Sequence, residues 1–235
     1  MTTVKTALVT GANRGIGLET VRQLAEQGLH VIATVRSLSQ AAELQALAIQ
    51  GLPVSIELLD VSSPQSVDAL AARVLAKHKV VDILINNAGV AMDKWVPALK
   101  LDIDVWRQTM EVNLYGALRL CQAFVPAMIQ AGFGRIVNVS SELGTLSDVQ
   151  MGSSLAYRSS KTALNSLTVL LASELKDYPD ILVNASCPGW VQTELGGEGA
   201  PLTTEQGADT TVWLATQPSG FNSGGLYRER SVWPW

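Results

Sequence analysis

Short apolar runs alternate with longer segments of three-to-four-residue periodicity along the whole chain. The short runs are Ala7-Leu8-Val9, Val31-Ile32-Ala33, Val54-Ser55-Ile56, Ile83-Leu84-Ile85, Ile136-Val137-Asn138-Val139 and Ile181-Leu182-Val183, with a weaker one at Gly225-Leu226-Tyr227. Their length and β-branched content predict strands. Helical patterns fill the intervals at 16–27, 40–49, 65–77, 104–131, 156–176 and 205–216. Ser39 and Ser63 are expected to cap helix starts, the second with Pro64 behind it at the first helical position. Alternation of this kind implies parallel strands joined by right-handed crossovers. No linker, repeat or low-complexity tract divides the chain. The expectation is one doubly wound, Rossmann-type α/β domain over residues 1–235, with a parallel sheet of about seven strands and helices on both faces.

Composition agrees with a sheet covered on both sides: 47% of residues are hydrophobic and 16% are charged. The net charge of −4 carries no run of either sign, which excludes the basic stripe of a nucleic-acid binder. No uninterrupted apolar stretch reaches the roughly 18 residues of a membrane span. The opening Met1-Thr2-Thr3-Val4-Lys5 lacks the layout of a signal peptide. A cytoplasmic protein with neither nucleic-acid nor membrane partners is expected. Cys121 and Cys187 read as small buried hydrophobes, His30 and His78 as surface histidines, and no metal-ligand cluster is visible.

Candidate chemistry begins after the first strand, at Thr10-Gly11-Ala12-Asn13-Arg14-Gly15-Ile16-Gly17. Glycines here permit a tight turn, and the helix that follows offers free N–H groups to a pyrophosphate. The spacing departs from the general G-x-G-x-x-G fingerprint, so a turn without a ligand remains open from these residues alone. An NAD site places an acid about 20 residues on. This chain instead has Ala33-Thr34-Val35-Arg36-Ser37 there. Arg36, with Arg14 from the turn, can clamp a 2′-phosphate, so NADPH is expected over NADH. Asp60, followed by Val61, is placed either to bond an adenine amino group or to cap a helix start. Asn86-Asn87-Ala88-Gly89 either lets a cofactor pass the sheet edge or simply turns the chain.

Tyr157 and Lys161 stand four residues apart in a predicted helix, hence on one face. A nearby ammonium favours the phenolate and is expected to pull the tyrosine pKa down. Upstream, the strand ending Val139-Ser140-Ser141 points a hydroxyl into the crevice where open α/β sheets bind ligands.

Taken in order, Thr10-Gly11-x-x-x-Gly15-x-Gly17, Asn86-Asn87-Ala88-Gly89, Asn113, Ser141, Tyr157-x-x-x-Lys161 and Pro188-Gly189-x-x-x-Thr193 resemble the short-chain dehydrogenase/reductase superfamily over nearly the whole length. The resemblance implies an NADP(H)-dependent oxidoreductase acting reversibly on a ketone or aldehyde, in the manner of carbonyl reductases. Tyr157 would be the general acid, Lys161 would lower its pKa and hold the nicotinamide ribose, and Ser141 would polarise the carbonyl, with Ser140 a weaker candidate. Asn113 would hold a water in a proton relay. Asn87, Ala88 and Gly89 would line the cofactor, and Pro188, Gly189, Val191 and Thr193 would meet its nicotinamide end. Relatives commonly pair the two long helices, so a homodimer or homotetramer is implied. A 3-oxoacyl thioester reductase and a catalytically silent NADP(H) sensor are the alternatives.

The small-molecule carbonyl substrate is less defined. Met92, Trp95, Leu143 and Trp190 can supply an apolar pocket wall or ordinary loop packing. The stretch Gly144-Thr145-Leu146-Ser147-Asp148 is polar and small-residue rich, and the long insertion of monomeric carbonyl reductases is absent. The short, glycine-rich segment 194–201 suggests an open pocket of broad range. The tail, with Trp233 and Trp235, reads equally as core-edge packing and as a subunit contact or pocket rim.

Overall fold

The computed structural model describes residues 4–147, 149 and 151–235, so Met1, Thr2, Thr3, Asp148 and Gln150 lie outside the described residues. Strands β1 (Thr6–Val9), β2 (His30–Val35), β3 (Val54–Leu58), β4 (Ile83–Asn86), β5 (Gly134–Val139), β6 (Ile181–Ser186) and β7 (Leu226–Arg228) pair in parallel in the order β3-β2-β1-β4-β5-β6-β7. An eighth strand, β8 (Ser231–Trp233), returns antiparallel to β7. Its two-residue turn places Glu229 and Arg230 at φ 49° and 59°, the left-handed pair that matches a hairpin's twist. The apolar pattern misses this strand because it is three residues long and its turn lacks the usual Asn-Gly signal.

The alternation of side chains across the strands decides the layers. Leu8, Ile32, Leu84, Ile136 and Val183 face α3 (Pro64–His78), α5 (Gly116–Ala131) and α6 (Leu155–Glu174), where Leu70, Leu120, Phe124 and Met128 close the core. Ala7, Val9, Val31, Ala33, Ile83, Ile85 and Val137 face α1 (Gly15–Glu26), α2 (Ala42–Ile49) and α7 (Thr204–Ala215), meeting Val21, Leu24, Leu44 and Val212. Each fully buried apolar side chain of this kind stabilises the fold by about 1.5–3 kcal/mol.

Helix starts follow local chemistry. The Ser63 hydroxyl accepts from the Ser66 N–H with Pro64 behind it, as expected. Ser39 does not cap α2, which begins at Ala42 after a 3-10 turn; the capping hydroxyl there is Ser37, accepting from the Ser39 N–H. Thr203 and Gln206 form a reciprocal capping box on α7. The long predicted helix is continuous but not uniform: α4 (Ile103–Met110) passes through a π-helical turn, Glu111–Tyr115, into α5. By length and mean hydropathy the run Ile103–Ala131 reaches what a membrane span requires. Leu120, Phe124 and Met128 on it are nevertheless buried against the sheet, as in the core helix of a globular protein.

The strand order reverses between β1 and β4, so the loops leaving their C-terminal ends diverge and open a crevice. His30 and His78, at the opposite end of these elements, are half-buried and stacked with centroids 4.9 Å apart, rather than simply solvated.

Candidate active site

At the crevice floor the glycine turn is braced from β4. The Asn87 side-chain amide donates to the carbonyls of Thr10 (2.8 Å) and Gly11 (3.1 Å). The Thr10 hydroxyl accepts from the N–H groups of Asn87 (3.0 Å) and Ala88 (2.9 Å). Gly11 sits at φ +62°, and a Cβ on Gly17 would lie 2.3 Å from the Gly11 carbonyl oxygen, so neither position admits a side chain. Asn87 therefore contributes by holding the turn. Ala12 is buried, and Asn13 and Ile16 are half-buried around it. The α1 N-terminus has no acidic residue in its first turn and no side-chain cap. Its N–H groups and dipole suit an anion.

Arg36, just past the end of β2, is exposed, with no ion-pair partner among the described residues. Arg14 is exposed and paired with Glu194. Asp60 serves the local turn: Oδ1 accepts from the Ser62 N–H (2.9 Å) and hydroxyl (2.6 Å). Val61 and Val191 turn their side chains inward, Val61 into the core beside α5 and Val191 onto Gly207 of α7. Any part they play at the crevice is through backbone atoms.

The proton-transfer residues converge above β5. The two serines separate: the Ser140 hydroxyl donates to Asn165 Oδ1 at 2.5 Å, whereas the Ser141 hydroxyl lies beside the Tyr157 phenol. Ser141 Oγ also accepts from the Leu143 N–H at 3.1 Å. Lys161 is buried, its Nζ donating to the Val139 carbonyl (2.7 Å) and lying 5.8 Å from the Tyr157 ring centroid.

Burial pushes the Tyr157 phenol up to about 12; the nearby Ser141 hydroxyl opposes this, while Cys187 and Glu142 add to it. Burial also brings the Lys161 ammonium down to about 8. The expected lowering of the phenol is thus not what the geometry produces. The amine lies over the ring rather than at the hydroxyl, and desolvation dominates the shift. A phenol so held is protonated at neutral pH and competent to donate.

Asn113 occupies the π-helical turn and is 2% exposed. Its Oδ1 accepts from the Val90 N–H (2.8 Å), and Nδ2 donates to the Val90 carbonyl (2.9 Å) and the Ser160 hydroxyl (2.9 Å). The side chain thus ties the loop after β4 to the Tyr157 helix; a π turn at such a junction is a frequent mark of function. A Cβ on Gly89 would lie 3.4 Å from Lys161 Nζ and 3.5 Å from Asn113 Oδ1, so all three share one wall.

The segment after β6 is a folded strap. Thr193 Oγ1 accepts from the Gly196 N–H, the Thr193 carbonyl accepts from the Gly197 N–H, and Trp190 Nε1 donates to the Gly196 carbonyl. A Cβ on Gly15 would lie 3.2 Å from Thr193 Cγ2, so the strap rests on the glycine turn. Gly189, at φ +78°, turns the chain after the half-buried Pro188.

Three residues of this site have no motif in the sequence. Glu142 pairs with Arg228 from β7 at 2.6 Å, and the Arg228 guanidinium lies 4.8 Å over the Trp233 ring. Asp93, 1% exposed, accepts from backbone N–H groups at the start of α6. Partners so distant in sequence leave no local signal. The tail tryptophan Trp233 packs on the β6–β7 edge, and Trp235 is 39% exposed.

Comparison with known proteins bears on the same arrangement. Residues 5–201 match the family model described as short chain dehydrogenase. The chain is 31% identical to (+)-neomenthol dehydrogenase of Arabidopsis thaliana, covering 97% of each. It is also 31% identical to carbonyl reductase [NADPH] 1 of Rattus norvegicus, covering 97% of this chain and 98% of the relative. The rat alignment extends over 274 positions against 235 residues here, so that relative carries stretches with no counterpart in this chain. Among solved structures, the NADPH-bound carbonyl reductase from chicken fatty liver superposes with a TM-score of 0.90 at 33% identity, covering 99% of both chains. The carbonyl reductase Sniffer of D. melanogaster gives 0.89 at 28% identity, covering 99% of this chain and 100% of that one. With the family model matching residues 5–201 and relatives 31% identical across 97% of its length, the chain belongs to the short-chain dehydrogenase family.

Proposed function

We propose that the protein is an NADP(H)-dependent carbonyl reductase, reducing a ketone or aldehyde reversibly to its alcohol. The observation that carries the reading is the buried Tyr157 phenol beside Ser141 past the end of β5, with the Lys161 amine 5.8 Å from its ring and the glycine turn packed against the loop after β4. Relatives named as NADPH carbonyl reductases support the choice of cofactor. The residues also fit that group: the α1 N-terminus accommodates a pyrophosphate, and Arg36 offers a cation to a 2′-phosphate where an NAD site would carry an acid. Arg14 is shared with Glu194 and adds a second cation at the same edge.

A reduced nicotinamide held there would supply the hydride. Ser141 and Tyr157 donate hydrogen bonds to the substrate oxygen, and Tyr157 gives up its proton as that oxygen becomes an alkoxide. Lys161 stabilises the phenolate that results. Asn113 holds the wall behind Lys161. The mouth is apolar: Met92, Trp95, Leu146, Trp190 and Leu195 are exposed on the loops after β4, β5 and β6. Exposed apolar side chains concentrated on three converging loops suit an uncharged carbonyl compound with hydrocarbon flanks better than a sugar.

The test is NADPH oxidation followed by absorbance across aromatic ketones, ketoesters and aldehydes, for the wild type and Tyr157→Phe. Wild-type turnover is expected, with kcat lowered about 100-fold or more in the variant and NADPH affinity retained. Equal turnover by the two proteins would remove Tyr157 from the acid role.

A further inference from the structure

We propose that the loop after β4 is a clasp that positions Tyr157, with Asp93 as its principal positioning residue; this rests on the assignment of Tyr157 as the acid. A helix begins with N–H groups that lack intrahelical partners, and a side chain just before it normally satisfies one of them. In α6 this local solution is missing. The N-cap residue Ser154 has φ 55°, and its side chain makes no cap hydrogen bond. The cap comes from far away in sequence: Asp93 Oδ2 accepts from the Ala156 N–H at 2.7 Å, and Oδ1 accepts from the Tyr157 N–H at 3.2 Å.

The contact is reciprocal. Ser154 Oγ accepts from the Trp95 N–H at 3.1 Å, and the Val96 carbonyl accepts from the Ser154 N–H at 3.1 Å. Four bonds thus join residues 93–96 to residues 154–157. Three of the non-glycine residues with left-handed backbone, Trp95 (φ 60°), Ser153 (φ 83°) and Ser154 (φ 55°), lie at this junction. Such conformations are unfavourable for residues with side chains and persist where surrounding contacts over-determine them. Here the clasp does so.

The consequence is mechanical. Asp93 accepts from the amide N–H of the same residue that carries the proton-donating phenol, and the loop it anchors carries Met92 and Trp95 at the crevice mouth. The substrate wall and the proton donor are therefore fixed to one another, and a carboxylate sits buried at the positive end of the α6 dipole. Asp93 touches neither substrate nor proton; it acts through the Tyr157 backbone.

The test is Asp93→Asn, whose amide keeps one acceptor and turns an NH2 group toward an N–H donor. Wild-type turnover is established first, so that a failure of the functional reading shows as an inactive wild type and stays distinct from a failure of the clasp. In the variant, kcat is expected to fall about 100-fold, as for a displaced catalytic group. The KM for the carbonyl substrate should rise while the NADPH dissociation constant, read by protein fluorescence, stays unchanged. Hydrogen exchange should accelerate at the amides of Ala156 and Tyr157 and not in α1. Unchanged kcat with unchanged protection at these amides would overturn the proposal, as would a parallel loss of NADPH affinity, which marks general damage. Should Asp93→Asn fail to fold, Ser154→Ala removes one bond of the same clasp from its more exposed side. A several-fold loss of kcat with NADPH binding intact supports the clasp, and wild-type kcat in that variant refutes it.

Discussion

Replacing Lys161 by methionine separates what the amine costs the fold from what it gives the chemistry. Methionine keeps a straight chain of similar volume and removes the ammonium, so the buried site stays filled. Burial brings the amine from its ordinary 10.5 down to about 8. At about 1.4 kcal/mol per tenfold change in proton affinity, that difference is about 3 kcal/mol of desolvation borne by the native state when the amine is charged. The lost hydrogen bond to the Val139 carbonyl, worth about 1.5–3 kcal/mol for a charged donor, offsets much of this, so near pH 7 the two proteins should be close in stability. Their pH dependence should differ.

Between pH 8 and 10.5 the unfolded chain keeps a proton on this lysine that the folded chain has released. The unfolded state binds more protons there, so stability contributed by this group rises with pH. From pH 7 to 9.5 the wild type should gain about 2 kcal/mol relative to Lys161→Met. Buried tyrosine and cysteine groups titrate in the opposite sense over part of this range but are common to both proteins and cancel in the difference. Urea denaturation of both at the two pH values measures it, with turnover recorded in parallel and expected to collapse in the variant. A stability difference independent of pH would mean that the amine is not desolvated as its burial indicates, and the reasoning would fail.

Two further predictions concern the cofactor edge and the far end of the sheet. Arg36→Ala should lower kcat/KM for NADPH about 10- to 100-fold, the worth of a charge-assisted phosphate contact, and leave that for NADH unchanged; equal losses with both cofactors would place Arg36 elsewhere. Burial, the charge of His78 and nearby Lys77 lower the pKa of His30, and burial with Lys77 lowers that of His78 against the opposing pull of Glu57. Folded values below the unfolded 6.5 mean that stability is full above that pH and lost as pH falls through the folded values. His30→Phe, which keeps a ring against His78, should lose less stability between neutral and mildly acid pH than the wild type, and an identical loss by urea titration would contradict this.

The amino-acid sequence by itself determined the alternation of elements, the parallel sheet, the glycine turn and the order of the candidate residues. These rest on local or periodic patterns: apolar runs for strands, a missing acid after β2, and Tyr157 and Lys161 one helical turn apart. What only the tertiary structure decided involves groups distant along the chain. It committed Ser140 to Asn165 and left Ser141 beside Tyr157, a separation the sequence does not resolve because both serines lie past the end of β5 and their partners sit on a distant helix. It reversed the expected direction of the Tyr157 pKa, since the depth of burial and the position of the ammonium over the ring follow from packing. It added β8, the π turn around Asn113 and the strap over the glycine turn. It also brought Asp93 and Arg228 to the catalytic end, each through partners more than sixty residues away. Local propensity records what a residue does to its neighbours in sequence; desolvation and long-range hydrogen bonds depend on neighbours in space, which the chain acquires only by folding.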